Sequence, residues 1–243
     1  MGVRRRLRAL DLFCGGGGVA EGLLRAGFDV VVGVDREDHS KAYPGEFILA
    51  DVRALPVDLS DFDMVWASPP CQTYSNLQAG RFDNGVMEKE QSDYIPLVRE
   101  LLARYSNENG DDFYTVIENV TDAPIRKDLV LTGPMFGLDR ILRKRKFELS
   151  ESFMMLQPPV INKRPQYILD NNLELSILTN FAYKFDQLWK RRVLGLSTRI
   201  SLEEGREAMG IENRRMTMRE IGESVPPAYA EYIGLEVIRR IRQ

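Results

Sequence analysis

Cys71 stands behind two consecutive prolines in the stretch ASPPCQTYS (67–75), at the end of the apolar run FDMVWAS. A cysteine kept for packing more often sits inside an apolar element, whereas one in a Pro-Pro turn is carried on stiffened backbone. Glu118 and Asn119 close a second apolar run, FYTVIENV (113–120). Adjacent strands bring such tips to one edge, and a thiol beside a carboxyl is equipment for nucleophilic attack with acid–base assistance. Taken singly, each group has a plainer reading: a structural cysteine, a solvated strand end, a turn-forming asparagine.

Four glycines, Gly15 to Gly18, follow the run RALDLFC (8–14) and precede a helical stretch, VAEGLLRAGF. Glycine permits a tight turn and close approach of a ligand to backbone at a helix N-terminus. Gly15 and Gly17 are therefore candidate cofactor contacts. Asp35 lies about twenty residues further on, where a carboxylate can accept from ribose hydroxyls. Asp51 ends the next run, within reach of an adenine amino group. NAD and S-adenosylmethionine both satisfy this pattern. Phe13 is a candidate neighbour of the cofactor and equally a core residue.

These groups need a scaffold that gathers them. Short apolar runs at 8–14, 29–35, 46–51, 62–68 and 113–120 alternate with helical patterns, the signature of βαβ units and a parallel sheet, and ligands bind such sheets at the carboxyl ends of the strands. Between 91 and 106, Tyr94, Leu97, Val98, Leu101, Leu102 and Tyr105 recur at helical spacing and predict a helix packed on the sheet, with Pro96 in its first turn. Residues 141–149 read as a further strand. Periodicity weakens from 150 to 210, and Pro227 opens a final helix whose Tyr229, Ile233, Val237 and Ile241 share one face. The predicted organisation is a catalytic and cofactor-binding α/β domain over 1–149, a small region over 150–210, and a segment over 211–243 that returns to the first domain.

Composition narrows the class. Two cysteines and one histidine, His39, exclude a disulfide framework and a histidine-cluster metal centre, so no metal is expected. No apolar stretch is long enough to span a membrane, and the basic start lacks a signal-peptide core, so a cytoplasmic protein without membrane contact is expected. The formal net charge is −3. Basic residues nevertheless cluster at 140–149 and 190–199, a pattern shared by nucleic-acid contacts and by ordinary solvated faces.

In this order, the pieces resemble the DNA cytosine-5 methyltransferase family, over residues 8–149 and about 216–238. DLFCGGGG looks like its first cofactor motif, GVD its second, ADV its third, SPPCQTYS its Pro-Cys-Gln loop, ENV its Glu-Asn-Val motif and RKR (143–145) its Arg-x-Arg pair. REIGESVPPAYAEYIG is similar to its last motif, which completes the cofactor site. The short form resembles phage and prophage members. Ile141 stands where the family places a glutamine, and Arg36 where many members place an aromatic that stacks on adenine; a guanidinium plane offers a substitute surface.

The resemblance implies a Rossmann-like S-adenosylmethionine-dependent methyltransferase sheet with a small target-recognition region. It implies S-adenosyl-L-methionine as donor, with S-adenosyl-L-homocysteine as product, and adds Arg36, Val52, Pro70, Glu223 and Ser224 to the cofactor contacts. Cys71 would attack C6 of a cytosine flipped out of double-stranded DNA. A protonated Glu118 would hydrogen-bond N3, Asn119 would help position that acid, Arg145 would reach the O2 side or a phosphate, and Arg143 would support the loop or its charge. Gln72 and Ser75 are candidates to close over the flipped base. Arg164, Arg191 and Arg199 in 150–210 are candidate DNA contacts, and that region's size suggests a site of about two to four base pairs. A monomer is expected. The rivals are a tRNA cytosine-5 methyltransferase of the same fold, a DNA-binding relative without catalysis, and a nicotinamide dehydrogenase.

Overall fold

The computed structural model describes residues 5–71, 94–109, 113–138, 140–150, 155–159 and 201–243. Seven strands form one sheet: β1 (Arg8–Leu12), β2 (Val30–Asp35), β3 (Glu46–Leu49), β4 (Met64–Ala67), β5 (Tyr114–Asn119), β6 (Leu129–Leu131) and β7 (Arg145–Leu149). Their spatial order is β3-β2-β1-β4-β5-β7-β6. The first five run parallel, and β7 runs antiparallel to both β5 and β6. The chain steps outward from β1 to β3, then returns to lay β4 on the other side of β1. The crevice at a doubly wound sheet's switch point therefore opens between the ends of β1 and β4.

Alternation along the strands divides the core in two. From β1, Ala9 joins Met64, Trp66, Val116 and Phe147 on one face, while Leu10 and Leu12 join Val32, Val34, Val65 and Ile117 on the other. The first face is covered by α1 (Gly18–Ala26) and by the final helix, which is α5 here (Pro227–Ile241). Glycines allow these helices to touch: a Cβ on Gly22 would sit 2.8 Å from the Ala230 Cβ, and one on Gly234 2.9 Å from that of Ala26. The second face is covered by α2 (Tyr94–Asn109), which buries Ile95, Val98, Leu102 and Tyr105. Each such side chain, fully buried, contributes about 1.5–3 kcal/mol relative to exposure.

The three predicted helical stretches are present, and Pro227 is the first residue of α5. Tyr229, Ile233 and Val237 are fully buried along its inner face, with Ile241 packed against the same cluster. Several strands are shorter than the apolar runs suggested. β1 ends at Leu12, because Phe13 takes a left-handed φ of 58° and turns the chain into the glycine loop. The run at 141–149 is strand only from Arg145.

Two further helices lie beyond residue 200: α3 (Leu202–Met209) and α4 (Met218–Glu223). Each begins with a reciprocal capping box, Ser201 with Glu204 and Thr217 with Glu220, which satisfies backbone N–H groups at its start. Most of the region expected at 150–210 lies outside the described residues, as do Gln72, Ser75, Arg164, Arg191 and Arg199.

Candidate active site

β4 runs into Ser68-Pro69-Pro70-Cys71, and β5 ends beside it. Asn119, only 1% exposed, joins the two tips. Its Nδ2 donates to the Pro69 carbonyl at 3.0 Å, and its Oδ1 accepts from the Val120 N–H at 2.9 Å. The amide thus fixes the backbone that carries the thiol. The family resemblance implies a role for Asn119 in positioning the acid; its hydrogen bonds run to the Pro69 and Val120 backbone. A second tie comes from within the turn, where the Trp66 Nε1–H donates to Ser68 Oγ at 2.9 Å.

Antiparallel pairing places Glu118 opposite Phe147. Residues two apart in a strand share a face, so Arg145 is the diagonal neighbour of Glu118. Its Nε lies 2.9 Å from Glu118 Oε1, with both side chains largely buried. Burial pushes the Glu118 carboxyl above its ordinary range, although Arg145, Arg143 and a hydrogen bond from Ser68 oppose the shift. Desolvation therefore outweighs the ion pair, which is the condition for a carboxyl that holds a proton.

Cys71 is half-buried and free. Burial raises its pKa, and the charges acting on it are Arg145 (lowering), Glu118 (raising) and Arg143 (lowering). Thiol, acid and both arginines therefore share one electrostatic cluster. The other cysteine, Cys14, is buried behind the glycine loop, and desolvation together with Asp11 and Asp35 pushes its thiol far upward. Only Cys71 has the surroundings of a reactive thiol.

Arg143 has an unusual backbone, a non-glycine residue at φ 38°. Its Nη2 donates to the Ser224 carbonyl at 2.6 Å, and the Tyr229 hydroxyl donates to its carbonyl at 3.0 Å. Burial and the neighbouring Arg145 lower the Arg143 pKa to about 9.

Across the switch point, the Gly15 N–H donates to Asp35 Oδ2 at 3.0 Å, while Asp35 Oδ1 accepts from the Glu37 N–H. The carboxylate expected to meet a ribose also shapes the glycine loop. Gly15 has φ 49°, and among the described residues a Cβ there would meet nothing within 4 Å. Its neighbours are closed in. A Cβ on Gly16 would lie 2.8 Å from the Glu220 Cβ, on Gly17 2.3 Å from the Pro44 Cδ, and on Gly18 2.4 Å from the Val225 carbonyl oxygen. The loop is packed from behind and open at Gly15, a shape that fits a ligand laid against its backbone.

The remaining candidates divide. Asp51 caps the short turn Val52–Ala54 and is held by both Arg53 Nε and Nη2, which lowers its pKa to about 2. Val52 is buried, Arg36 is exposed with its charge felt at Asp51, and Pro70 is half-buried next to Cys71. Phe13 packs edge-on against Tyr94 at 5.4 Å. Ser224 is buried behind the loop and ends α4, whereas Glu223 is exposed and paired with Arg219.

Three residues of this architecture escaped the sequence reading as site residues: Ser68, Tyr43 and Tyr229. Tyr43 donates to the buried Asp11 and lies over Gly33, where a Cβ would sit 2.3 Å from its ring. A glycine inside a strand marks such a close approach, so Gly33 was the available signal. Among the described residues, no helix is long and apolar enough to cross a membrane, and no cluster of His, Cys, Asp and Glu could hold a metal ion.

Residues 7–120 match the family model of C-5 cytosine-specific DNA methylases. Two curated relatives are type II methyltransferases. M.FnuDI of Fusobacterium nucleatum is 29% identical over 105 residues, 41% of this chain and 30% of that protein. M.HgiGI of Herpetosiphon aurantiacus is 26% identical over 132 residues, 50% of this chain and 96% of that protein. The fold is similar to that of a prophage-encoded Escherichia coli protein described as a DNA modification methyltransferase, with a TM-score of 0.55 at 18% identity, covering 98% of this chain and all of that one. It is also similar to the Schizosaccharomyces pombe Dnmt2 methyltransferase, with a TM-score of 0.58 at 16% identity and coverage of 98% and 100%. The seven-stranded sheet is Rossmann-like and is shared with these two solved methyltransferase structures, and residues 7–120 are similar to the C-5 cytosine-specific DNA methylase family.

Proposed function

We propose that this protein transfers a methyl group from S-adenosylmethionine to C5 of a cytosine flipped out of a short site in double-stranded DNA, through a transient bond to Cys71. The observation that carries this reading is the shared cluster of Cys71, Glu118 and Arg145 beside a glycine loop that is open at Gly15. Cytosine C5 is a weak nucleophile. Attack of the Cys71 thiolate forms an Sγ–C6 bond and sends the ring's electron pair toward C5 and N3. A protonated Glu118 donates to N3 and stabilises the charge that develops there, and Arg145 holds that carboxyl in place.

The donor supplies an electrophilic methyl group, and Gly15, Asp35 and Val52 are the residues proposed to hold it. C5 would take the methyl as the donor's sulfur–methyl bond breaks, leaving S-adenosyl-L-homocysteine. A base then removes the C5 proton, the electron pair re-forms the C5–C6 double bond, and the Sγ–C6 bond breaks to release Cys71. Attack at C6 comes from above the ring plane, so the base must leave the stack, at a cost of a few kcal/mol. Asn119 keeps the thiol-bearing loop in register for that approach.

Bisulfite sequencing of DNA from cells producing the protein tests the reaction and locates the site together. Cys71→Ser is expected to abolish methylation and to prevent covalent trapping on duplex DNA containing 5-fluorocytosine. A serine variant that methylates at the parent rate overturns the mechanism. A parent active on tRNA but not on duplex DNA replaces the substrate.

A further inference from the structure

We propose that Tyr229, a residue of the final helix, is a positioning residue that holds Arg143, and through it Arg145, against Glu118. This rests on the function proposed above. Arg143 occupies the left-handed region at φ 38°, where a bulky side chain is strained and persists only if its surroundings impose the conformation.

The imposing contacts come from the far end of the chain. Tyr229 is fully buried, and its hydroxyl donates to the Arg143 carbonyl at 3.0 Å. Ser224, five residues earlier, accepts from Arg143 Nη2 at 2.6 Å. The Arg143 Nε has no hydrogen-bond partner among the described residues, so these two bonds and the packing around them hold the residue. Two residues later, Arg145 begins β7 and meets Glu118 at 2.9 Å. The orientation of the peptide after Arg143 sets where Arg145 starts. Releasing the Arg143 carbonyl frees that peptide to turn toward an unstrained conformation and draws Arg145 off the carboxylate.

The ring is anchored independently of the hydroxyl, against Phe136 at 5.2 Å and Phe147 at 6.4 Å between centroids. Tyr229→Phe therefore removes one hydrogen bond and leaves the packing. Among the described residues, the charged groups around this point are Arg143, Arg145 and Glu118, and the same three act on Cys71. Arg145 holds the thiol pKa down, so drawing it away is expected to raise that pKa.

Two measurements on the full chain test this. In the first, kcat for methyl transfer is expected to fall about tenfold in Tyr229→Phe, equal to about 1.4 kcal/mol, with the KM for S-adenosylmethionine unchanged. In the second, the rate of Cys71 alkylation by iodoacetamide is followed against pH, with Cys71→Ser as the blank. The midpoint is expected to move to higher pH in Tyr229→Phe and to return when 4-aminophenylalanine, which restores a donor, replaces the tyrosine. Ile233→Val, a packing change on the same helix face, is expected to lower thermal stability without moving the midpoint.

Parent-like kcat and midpoint in Tyr229→Phe, or the same shift in Ile233→Val, would overturn the proposal. The alkylation readout needs no methyl transfer. A parent without methyltransferase activity defeats the functional reading, while the midpoint still decides whether Tyr229 positions the arginines.

Discussion

Replacing Asn119 tests whether one buried amide holds the thiol loop. In Asn119→Ala the Pro69 carbonyl loses its donor and the Val120 N–H its acceptor. A buried polar group left unsatisfied costs about 1–3 kcal/mol, and Val120, being only half-buried, sits at the low end. If the loop stays in place, the variant loses about 2–4 kcal/mol of stability in urea denaturation. If the loop relaxes so that water reaches Pro69, less stability is lost, but Cys71 leaves its attack position and trapping on 5-fluorocytosine DNA slows by at least about tenfold.

Asn119→Asp sharpens the test. A carboxylate would face the Pro69 carbonyl, whereas a protonated acid could donate to it. The folded-state pKa of such an aspartate is raised, so its hydrogen bond stabilises the protein below the ordinary aspartate pKa and is lost as pH rises through the folded value. Its stability should approach the parent's in acid and fall toward neutral pH. Parent stability to within about 0.5 kcal/mol in Asn119→Ala, together with parent trapping rates, would refute the assignment.

Two glycines of the loop should behave differently. Gly17→Ala combines φ 89° with a Cβ 2.3 Å from the Pro44 ring and should lose about 2–5 kcal/mol in urea denaturation. Gly15→Ala meets open space and should lose only about 1–2 kcal/mol, while titration calorimetry shows weakened S-adenosylhomocysteine binding; unchanged binding would mean that no ligand lies there. Asp11 is fully buried, with Oδ1 unpartnered among the described residues and Oδ2 accepting from Tyr43, and desolvation raises its pKa well above the ordinary value. The folded state keeps a proton that the unfolded chain releases, so stability falls as pH rises from the ordinary aspartate pKa through the folded one. Asp11→Asn mimics the neutral acid and should be stabilising at neutral pH, with the gain vanishing in acid; denaturation curves across pH 3 to 8 check this.

The sheet, and the gathering of most candidate residues at its edge, were legible because they rest on signals that operate along the chain. Runs such as VVVGVD and MVWA carry strand propensity, the glycine cluster marks a positive-φ turn, and Pro227 marks a helix start. β6 was not legible: three residues, Leu129–Leu131, become a strand only because β7 pairs with them. The capping boxes of α3 and α4 are visible in SLEE and TMRE, but weak apolar periodicity hid the helices they begin. Nor could spacing reveal that the Asn119 amide reaches Pro69 or that the Tyr229 hydroxyl reaches Arg143, since 50 and 86 residues separate those partners.

Those long-range bonds tie residues 220–229 to a candidate site whose other described residues lie within the first 150. Glu220 packs on Gly16 and pairs with His39, Val225 closes on Gly18, Ser224 takes the Arg143 guanidinium, and Tyr229 takes the Arg143 carbonyl. Within ten residues, one segment supports the loop proposed to hold the donor and the arginines proposed to hold the acid. A displacement of α4 and α5 would disturb both sides of the reaction at once. Substitutions that loosen this segment should therefore lower donor affinity and turnover together, whereas Tyr229→Phe, which touches only the arginine side, should separate the two.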